Sequence, residues 1–532
     1  MSGSSVDSIF PSQFADQIGE SYTETVTSDF KKAYGQFLTP VEIARFMATL
    51  SKVRRKTLSI LDPGCGTGVL TCALVEHAIL TSDEIKEISI TAFELDTNSL
   101  PKTEKAYSEL KQWARGKGVK LDFRIQEEDF VLSNSHYLTT TQDLFGHLKE
   151  KSKYDIIISN PPYFKIPKDD PRAKATATLN KGQPNIYAIF LGLAAHMLSE
   201  HGELIFITPR SFTAGPYFER FRKVFFSKIE LDHVHVFDSR NKAFGRDKVL
   251  QENIIFSGRP LNGHAPSSLI ISSSLGMEDL NALKVREYKY VELLGDRNGD
   301  NILFLPTTDL EDQVLQIFGN WKDRLGTLDI GISTGPVVSF RATEHLREAT
   351  GNSIVPLLWL PNVRKMQIDH PITKKGKSQF IESSEASRPL LVRNRNYVLL
   401  RRFSAKDDKS RLVAAPYFST GFEIDFIGLE NHLNYLYGLT EELSEELVIG
   451  LAGLLNSTLF DLYFRMFNGN TQVSATELRN MPFPPIEFIE LLGQKLHHQR
   501  HIEQELIDQT VSELLNSTGI KFQLSESALT YA

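Results

Sequence analysis

The sequence predicts an α/β protein, in which a mostly parallel sheet with helices on both faces is followed by a second domain of mixed α+β structure. From about residue 57 to 260, short apolar runs alternate with helical stretches, the pattern of a parallel sheet built from strand–helix–strand units. The apolar runs are nearly continuous, as expected for strands buried on both faces. Beyond residue 306 the strand and helix signals are mixed, and the chain is locally basic.

Composition narrows the class of protein. The 532 residues, 41% of them hydrophobic and 23% charged, suit a globular protein of two or three domains. The two cysteines, Cys65 and Cys72, are too few for a disulfide framework, which favours a cytoplasmic protein. The N-terminus lacks the features of a secretion signal, and no apolar run could span a membrane. A net charge of −7 excludes a uniformly basic surface but allows a local basic groove.

The same patterns divide the chain into four segments. Residues 1–30 are polar and are expected to form a loose lead-in. Residues 31–305 form the first domain, with a turn-rich linker from about residue 261. Residues 306–487 form the second domain, and residues 488–532 form a helical, amphipathic tail.

The elements of the first domain can be placed in order. A helix is expected to begin at "TPVE", with Thr39 as N-cap, Pro40 at its first position and Glu42 completing a capping box. Later helices include "AYSELKQWA" and "NIYAIFLGLAAHML". The predicted strands are "LSILD", "ISITAFEL", "KLDFRI", "YDIIIS", "GELIFITP", "HVHVF" and "NIIFSG". Ligands of such sheets bind beyond the carboxyl ends of the strands, so polar motifs at those ends are candidate sites.

A glycine-rich turn follows the first strand in "LDPGCGTGVL". Gly64, Gly66 and Gly68 come directly after Asp62, and glycines let the backbone turn tightly and approach a ligand closely. A dinucleotide fingerprint needs its third glycine one residue later, where Val69 stands. The loop therefore fits S-adenosylmethionine better than NAD, although a tight turn alone would also account for it.

Acidic residues end the next two strands. Glu94 could accept hydrogen bonds from both hydroxyls of a ribose, or could be an ordinary solvated acid. Asp129 could accept from an adenine amino group, and Phe130 could cover the ring. These residues follow successive strands in order, which favours a nucleoside-binding pocket.

The fourth strand ends in "SNPPYF". Asn160 carries a side-chain carbonyl and Pro161 a backbone carbonyl, and two acceptors of this kind can hold the hydrogens of an aromatic amine. The proline pair, Pro161 and Pro162, stiffens the turn, and Tyr163 offers a ring on which a base can stack. The alternative is a simple turn that ends the strand.

Together "GQFLTP", "LDPGCGTG", "FELD", "EEDF" and "SNPPYF" resemble the N6-adenine DNA methyltransferases of the gamma class. The resemblance covers about residues 30–260 and implies a Rossmann-like, S-adenosylmethionine-dependent methyltransferase domain. It implies a catalytic motif of Asn160, Pro161, Pro162 and Tyr163, and contact between Phe244 and the flipped base. The cofactor-binding residues that it implies are Thr39, Asp62, Gly64, Gly66, Glu94, Leu95, Asp129, Phe130 and Phe190.

The second domain has a basic centre in "RPLLVRNRNYVLLRRFSAKDDKSR", which suits a groove that neutralises phosphates or, alternatively, a solvated face with scattered ion pairs. With "ISTGPVVSFRA" and "LENHLNYLY", it is similar to type II modification methylases of the PstI/BsuBI kind. The segment is therefore expected to be a DNA target-recognition domain. Its candidate DNA contacts are Arg393, Arg395, Arg401 and Arg402.

These resemblances imply a monomeric bacterial or archaeal enzyme that methylates adenine N6 in double-stranded DNA, with CTGCAG as the expected site. The base would be flipped out of the duplex, because its amino group cannot otherwise reach the cofactor methyl. No metal is expected, and the cognate endonuclease is expected to be a separate protein without a stable complex. The alternatives are an RNA adenine methyltransferase, a protein-glutamine methyltransferase and a catalytically degenerate DNA-binding module.

Overall fold

The computed structural model describes residues 9–26, 38–138, 152–180, 184–237, 253–261, 268–295, 301–404, 408–421, 424–468, 472–499, 501–520 and 522. The chain divides into two compact units, Met1–Thr307 and Thr308–Ala532. Each unit is described by itself.

The first unit is built on a nine-stranded sheet with the order β3-β2-β1-β4-β5-β7-β6-β8-β9. Pairing is parallel from β3 through β5, and β7 is antiparallel to both β5 and β6. The strands are β1 Thr57–Asp62, β2 Glu87–Phe93, β3 Lys120–Gln126, β4 Tyr154–Ser159, β5 Leu198–Pro209, β6 Ile229–Phe237, β7 Asn253–Pro260, β8 Ser268–Ser274 and β9 Lys284–Lys289; a small ribbon pairs β10 Leu294–Gly295 with β11 Ile302–Leu303.

Every strand predicted in this unit is present, and most of them are buried apolar runs. Ile156, Ile157 and Ile158 of β4, for example, are fully buried. The strand order reverses between β1 and β4, and a crevice for ligands forms at such a point. The glycine-rich turn and the "SNPPYF" turn follow these two strands, so the fold brings both motifs to one edge.

Nine helices are described in the first unit. Helices α2, α3 and α4 share one hydrophobic core with β1 and β2, while α7 packs against α5, α8 and β5. The helices are α1 Pro11–Thr25, α2 Val41–Thr49, α3 Val69–Thr81, α4 Leu100–Gly116, α5 Phe130–Asn134, α6 Pro171–Ala175, α7 Ile186–Met197, α8 Glu219–Phe226 and α9 Tyr290–Leu293.

Three local expectations are corrected. The lead-in contains α1, which packs against α3 and α4 and whose Ser12 donates through its amide and hydroxyl to the buried Glu76 carboxylate. The proposed linker from 261 contains β8 and β9, since "LIISSS" is apolar enough to extend the sheet. Helix α2 has Pro40 rather than Thr39 as its N-cap, because the Thr39 hydroxyl accepts from Asn160 instead.

The second unit has a four-stranded sheet, β12-β22-β19-β20, a five-stranded sheet, β13-β17-β14-β21-β18, and the ribbon β15-β16. Its strands are β12 Ile330–Thr334, β13 Leu346–Arg347, β14 Ile354–Leu358, β15 Val363–Arg364, β16 Gln367–Ile368, β17 Phe380–Glu382, β18 Leu391–Arg393, β19 Tyr397–Arg401, β20 Ala414–Tyr417, β21 Phe426–Leu429 and β22 Leu433–Gly438. Its helices are α10 Asp309–Asn320, α11 Glu445–Asn456, α12 Thr458–Phe467, α13 Ala475–Asn480, α14 Ile486–His497 and α15 Gln504–Ser517.

The expected helical tail consists of α14 and α15, and α14 is part of the second unit's core. Helices α11 and α14 approach so closely that a Cβ added at Gly450 would lie 1.9 Å from the Ile489 carbonyl oxygen. A Cβ at Gly493 would lie 1.8 Å from the Glu446 carbonyl oxygen. Backbone contact of this kind requires glycine, so the two glycines allow α14 to pack directly against α11.

Among the described residues, no single helix is long and apolar enough to cross a membrane. The pair α11 and α12, bent by 56°, reaches that length and apolarity only when its two helices are counted together.

Candidate active site

A cavity of about 340 Å³ opens at the carboxyl ends of β1, β2 and β4, beside the N-terminus of α5. Its volume lies in the range of small-molecule sites. Eight of the nine proposed cofactor residues line it, namely Thr39, Gly64, Gly66, Glu94, Leu95, Asp129, Phe130 and Phe190. Asn160 and Pro162 of the turn after β4 line the same cavity, so one pocket joins the two groups of predicted residues.

Glu94 ties the glycine-rich turn to the second strand. One carboxylate oxygen accepts from the amide of Gly66 at 2.8 Å, and the other accepts from the amide of Asp96 at 2.8 Å. Burial raises the pKa of Glu94, and the two backbone donors oppose that rise. Each carboxylate oxygen can accept more than one hydrogen bond, so Glu94 can still receive hydroxyl donors from the cavity.

Asp62 lies directly behind the cavity wall and is completely buried. Its Oδ2 accepts from the Thr71 hydroxyl at 2.7 Å. Burial raises the pKa of Asp62 to about 7, hydrogen bonds from Thr71 and from the Gly64 amide oppose the rise, and the negative charge of Glu94 adds to it. A buried acidic group behind the glycine-rich turn suits a ligand that carries positive charge.

Aromatic rings and a guanidinium group form the far end of the cavity. The rings of Phe130 and Phe190 lie 4.9 Å apart, and both line the pocket. Asp129 caps α5 by accepting from the amide of Leu132 at 2.9 Å, and its other oxygen lies 3.8 Å from Arg172 Nη1. Acceptors beside flat apolar walls suit an adenine ring.

Arg172 and Phe164 were not among the predicted site residues. Arg172 forms a bidentate pair with Asp170, in which Nε donates to Oδ1 at 3.0 Å and Nη2 donates to Oδ2 at 2.7 Å. Its guanidinium lies 5.8 Å from the centre of the Phe164 ring, and both side chains line the cavity. The one local signal was "DPR", in which Asp170 caps the short helix α6. The contact with Asp129 spans 43 residues of sequence, which local patterns do not reveal.

Asn160 is oriented on both sides of its amide. Its Nδ2 donates to the Thr39 hydroxyl at 3.0 Å, and its Oδ1 accepts from the Tyr163 hydroxyl. The Tyr163 hydroxyl also lies 3.0 Å from the Ile207 carbonyl oxygen. The Tyr163 side chain is buried, with 9% exposed, and packs edge-on against Tyr187.

The remaining predicted residues lie elsewhere. Phe244 lies outside the described residues. In the second unit, Arg393 and Arg395 are exposed, whereas Arg401 and Arg402 are partly buried. Arg401 Nε donates to the Val363 carbonyl at 2.7 Å, and Arg402 Nη1 donates to the Asn431 carbonyl at 2.9 Å. These bonds fix the positions of both side chains.

Comparison with known proteins finds a matching family and two full-length relatives. Residues 32–244 match the family model of the Eco57I restriction-modification methylase. The chain is 33% identical over 487 residues to the type II methyltransferase M.BsuBI of Bacillus subtilis, covering 91% of this chain and 94% of the relative. It is 33% identical over 501 residues to the type II methyltransferase M.PstI of Providencia stuartii, covering 94% of this chain and 96% of that relative.

The crystal structure of the type IIG restriction endonuclease BpuSI is similar at 15% identity and a TM-score of 0.46, covering 98% of this chain and 67% of that one. The first unit has the Rossmann-like fold of S-adenosylmethionine-dependent methyltransferases, and S-adenosylmethionine is the methyl donor. The two relatives at 33% identity span almost the whole chain, so this protein belongs to the type II restriction–modification methyltransferases and is a DNA methyltransferase with an Eco57I-type methylase domain.

Proposed function

We propose that the chain transfers a methyl group from S-adenosylmethionine to N6 of an adenine that is flipped out of double-stranded DNA. The observation that carries the proposal is the position of Asn160, Pro161, Pro162 and Tyr163, which follow β4 directly beside the cofactor cavity. This arrangement combines a neutral acceptor with a stiff turn at the point where a base would meet the methyl donor.

Asn160 and Pro161 act on the adenine amino group. Its nitrogen is a poor nucleophile because the lone pair is delocalised into the ring. The Asn160 Oδ1 and the Pro161 carbonyl each accept one N–H hydrogen, which favours a pyramidal nitrogen with an available lone pair. A neutral amide serves better than a carboxylate in this site, because a buried unpaired charge is costly.

The Tyr163 hydroxyl adds a detail to this mechanism. It carries one hydrogen and lies within hydrogen-bonding distance of two acceptors, Asn160 Oδ1 and the Ile207 carbonyl. The amide oxygen has two lone pairs, so Asn160 Oδ1 can accept from the amine while it also accepts from the Tyr163 hydroxyl. The Thr39 hydroxyl holds the other end of the amide, so the oxygen keeps its direction. Stacking of the base on Tyr163 requires one face of this buried ring to open.

The pocket residues hold the cofactor in place. Bound S-adenosylmethionine supplies a methyl group activated by its sulfonium. Glu94 would accept from the ribose hydroxyls, Asp129 would accept from the adenine amino group, and Phe130 and Phe190 would cover the ring. The buried Asp62 would lie behind the methionine end. After transfer the methylated amine releases its extra proton to water.

In its biological setting, the enzyme modifies CTGCAG as a monomer and protects that site from a separate endonuclease, with which it forms no stable complex. The support for this site is the likeness of the second half of the sequence to modification methylases of the PstI/BsuBI kind. Phe244 contributes an apolar contact to the flipped base, and Arg393, Arg395, Arg401 and Arg402 face the DNA.

The test is an Asn160→Ala substitution. The variant is expected to bind S-adenosylmethionine like the wild type and to transfer methyl about 100- to 1,000-fold more slowly, since one preorganised acceptor is lost. Thr39→Val is the graded control, because it removes the orienting partner and leaves the acceptor. Sequencing of plasmid DNA from expressing cells identifies the modified base and site, with labelled RNA as the competing substrate. Wild-type rates in Asn160→Ala, or methyl on cytosine or RNA, would refute the proposal.

A further inference from the structure

Two exposed phenylalanines and three cationic or titratable side chains of the second unit lie on segments that backbone hydrogen bonds join. Phe340 is 73% exposed and Phe403 is 38% exposed, high values for such large apolar groups. We call Phe340, Arg341, Arg402, Phe403 and His432 the aromatic–basic patch. The Eco57I family match ends at residue 244, so the patch lies outside the matched methylase domain.

Backbone pairing brings the separate segments together. Val337, just before the 3₁₀ turn of Phe340 and Arg341, bridges to Glu430, and its carbonyl accepts from the amide of Asn431 at 2.9 Å. The amide of Arg402 donates to the His432 carbonyl at 2.9 Å. The patch therefore belongs to one hydrogen-bonded framework rather than to independent loops.

The side chains of His432 and Arg402 both lie next to the Phe403 ring, within 6 Å of its centre. Its ring centre lies 5.1 Å from that of His432 and 5.7 Å from the guanidinium carbon of Arg402. With its amide oxygen turned towards Arg402, Gln472 accepts from Nε at 2.9 Å and from Nη2 at 2.6 Å. Gln472 and the Asn431 carbonyl both accept hydrogen bonds from Arg402, so its guanidinium is fixed in place beside the Phe403 ring.

His432 adds a directed polar group. Its Nδ1 lies 2.6 Å from a carboxylate oxygen of Glu430, and a carboxylate partner places the ring hydrogen on Nδ1. The side chain is 45% exposed, and Nε2 is left as the second polar atom of the ring. When the imidazole ring is neutral, Nε2 accepts a hydrogen bond, and when the ring is protonated, Nε2 donates one.

The charge of this surface favours a polyanion. Among residues 337–341, 402–403, 430–432 and 472–473, the one carboxylate is Glu430, which is buried beneath His432. Arg341 is exposed, and its guanidinium lies 5.3 Å from the centre of the Phe340 ring. Exposed aromatic rings beside cations are the pattern by which proteins contact bases and phosphates together.

We infer that the aromatic–basic patch is a DNA-contacting surface of the second unit, in which Phe403 and Phe340 touch bases or sugars, Arg341 contacts a phosphate and His432 meets a polar base edge. The inference deepens the proposed function and rests on it only for double-stranded DNA as the substrate. It does not depend on which base receives the methyl group.

The test measures DNA affinity of the full chain by fluorescence anisotropy, with a labelled duplex taken from plasmid DNA that the wild type methylates. Phe403→Ala is expected to weaken binding about ten-fold. Arg341→Gln is expected to weaken DNA binding several-fold. It should also lower the slope of log affinity against log salt concentration by about one, since one fewer ion is released. Leu439→Ala is the matched control, because Leu439 is 52% exposed and follows the opposite end of β22 from His432. This control is expected to bind DNA like the wild type.

Cofactor affinity and the thermal midpoint are measured in parallel and are expected to be unchanged in all three variants. DNA affinities of Phe403→Ala and Arg341→Gln equal to that of Leu439→Ala would overturn the inference, as would a wild-type chain that binds no duplex. Methyl found on cytosine, together with weakened binding by Phe403→Ala, would refute the proposed adenine chemistry and uphold the patch.

Discussion

Replacing Asp62 by Asn should change how the stability of the first unit depends on pH. Burial raises the pKa of Asp62 from 3.8 to about 7, whereas the same group titrates near 4 in the unfolded chain. Between these values the unfolded chain has lost the proton that the folded chain still holds, so the folded state loses stability as the pH rises. From pH 5 to pH 8 the loss covers about two pKa units, or about 3 kcal/mol.

The assay is urea unfolding of the wild type and Asp62→Asn at pH 5, 6, 7 and 8. The amide cannot titrate, so the free energy of unfolding of the variant should gain about 3 kcal/mol relative to the wild type between pH 5 and pH 8. Any pH-independent cost of the amide, such as an altered bond from Thr71, cancels in this difference. Asp122→Asn is the control, because Asp122 is exposed. Parallel pH curves for the wild type and Asp62→Asn would refute the raised pKa.

Two more substitutions test the glycine-rich turn and the cavity wall. Gly68 has φ of +85°, and an added Cβ would lie 2.6 Å from Tyr107 Cε1; Gly68→Ala should lower the free energy of unfolding by about 2 kcal/mol. Gly116→Ala is the control, because its added Cβ meets nothing within 4 Å, and it should leave the free energy of unfolding unchanged. Equal losses of stability in the two variants would contradict a steric clash at Gly68. Arg172→Met removes the contacts with Asp170 and Asp129, and calorimetry should show about ten-fold weaker cofactor binding. Lys174→Met on the same helix is the control. Equal cofactor affinities of the two variants would exclude a role for Arg172 in cofactor binding.

Much of the first unit is predictable because its information is local. Most strands are apolar runs, and the glycine-rich turn, Glu94 and the Asn160 turn each follow a strand directly. The alternation of strands and helices then brings Asp62, Glu94 and Asn160 to one edge of the sheet. Their hydrogen-bond partners are less predictable. Nothing in the sequence around Tyr163 indicates that its hydroxyl reaches both Asn160 and Ile207.

The features that sequence analysis missed depend on contacts between distant residues. Helix α1 is polar in sequence, and its fold is secured by partners such as Glu76, 64 residues away. The basic segment was identified from charge alone, yet Arg401 donates to a carbonyl 38 residues away. The aromatic–basic patch joins segments that are 29 or more residues apart, which the backbone bonds of Val337 and Arg402 to the segment 430–432 reveal.

Helix α1 also makes the cofactor pocket depend on the amino-terminal region. The Tyr22 hydroxyl donates to the Asp96 carboxylate, and Asp96 lines the cavity and donates its amide to Glu94. A deletion of the first 30 residues would remove this brace and leave the Glu76 carboxylate buried without Ser12. The cofactor pocket therefore depends on helix α1, Pro11–Thr25, which lies upstream of the family match that begins at residue 32.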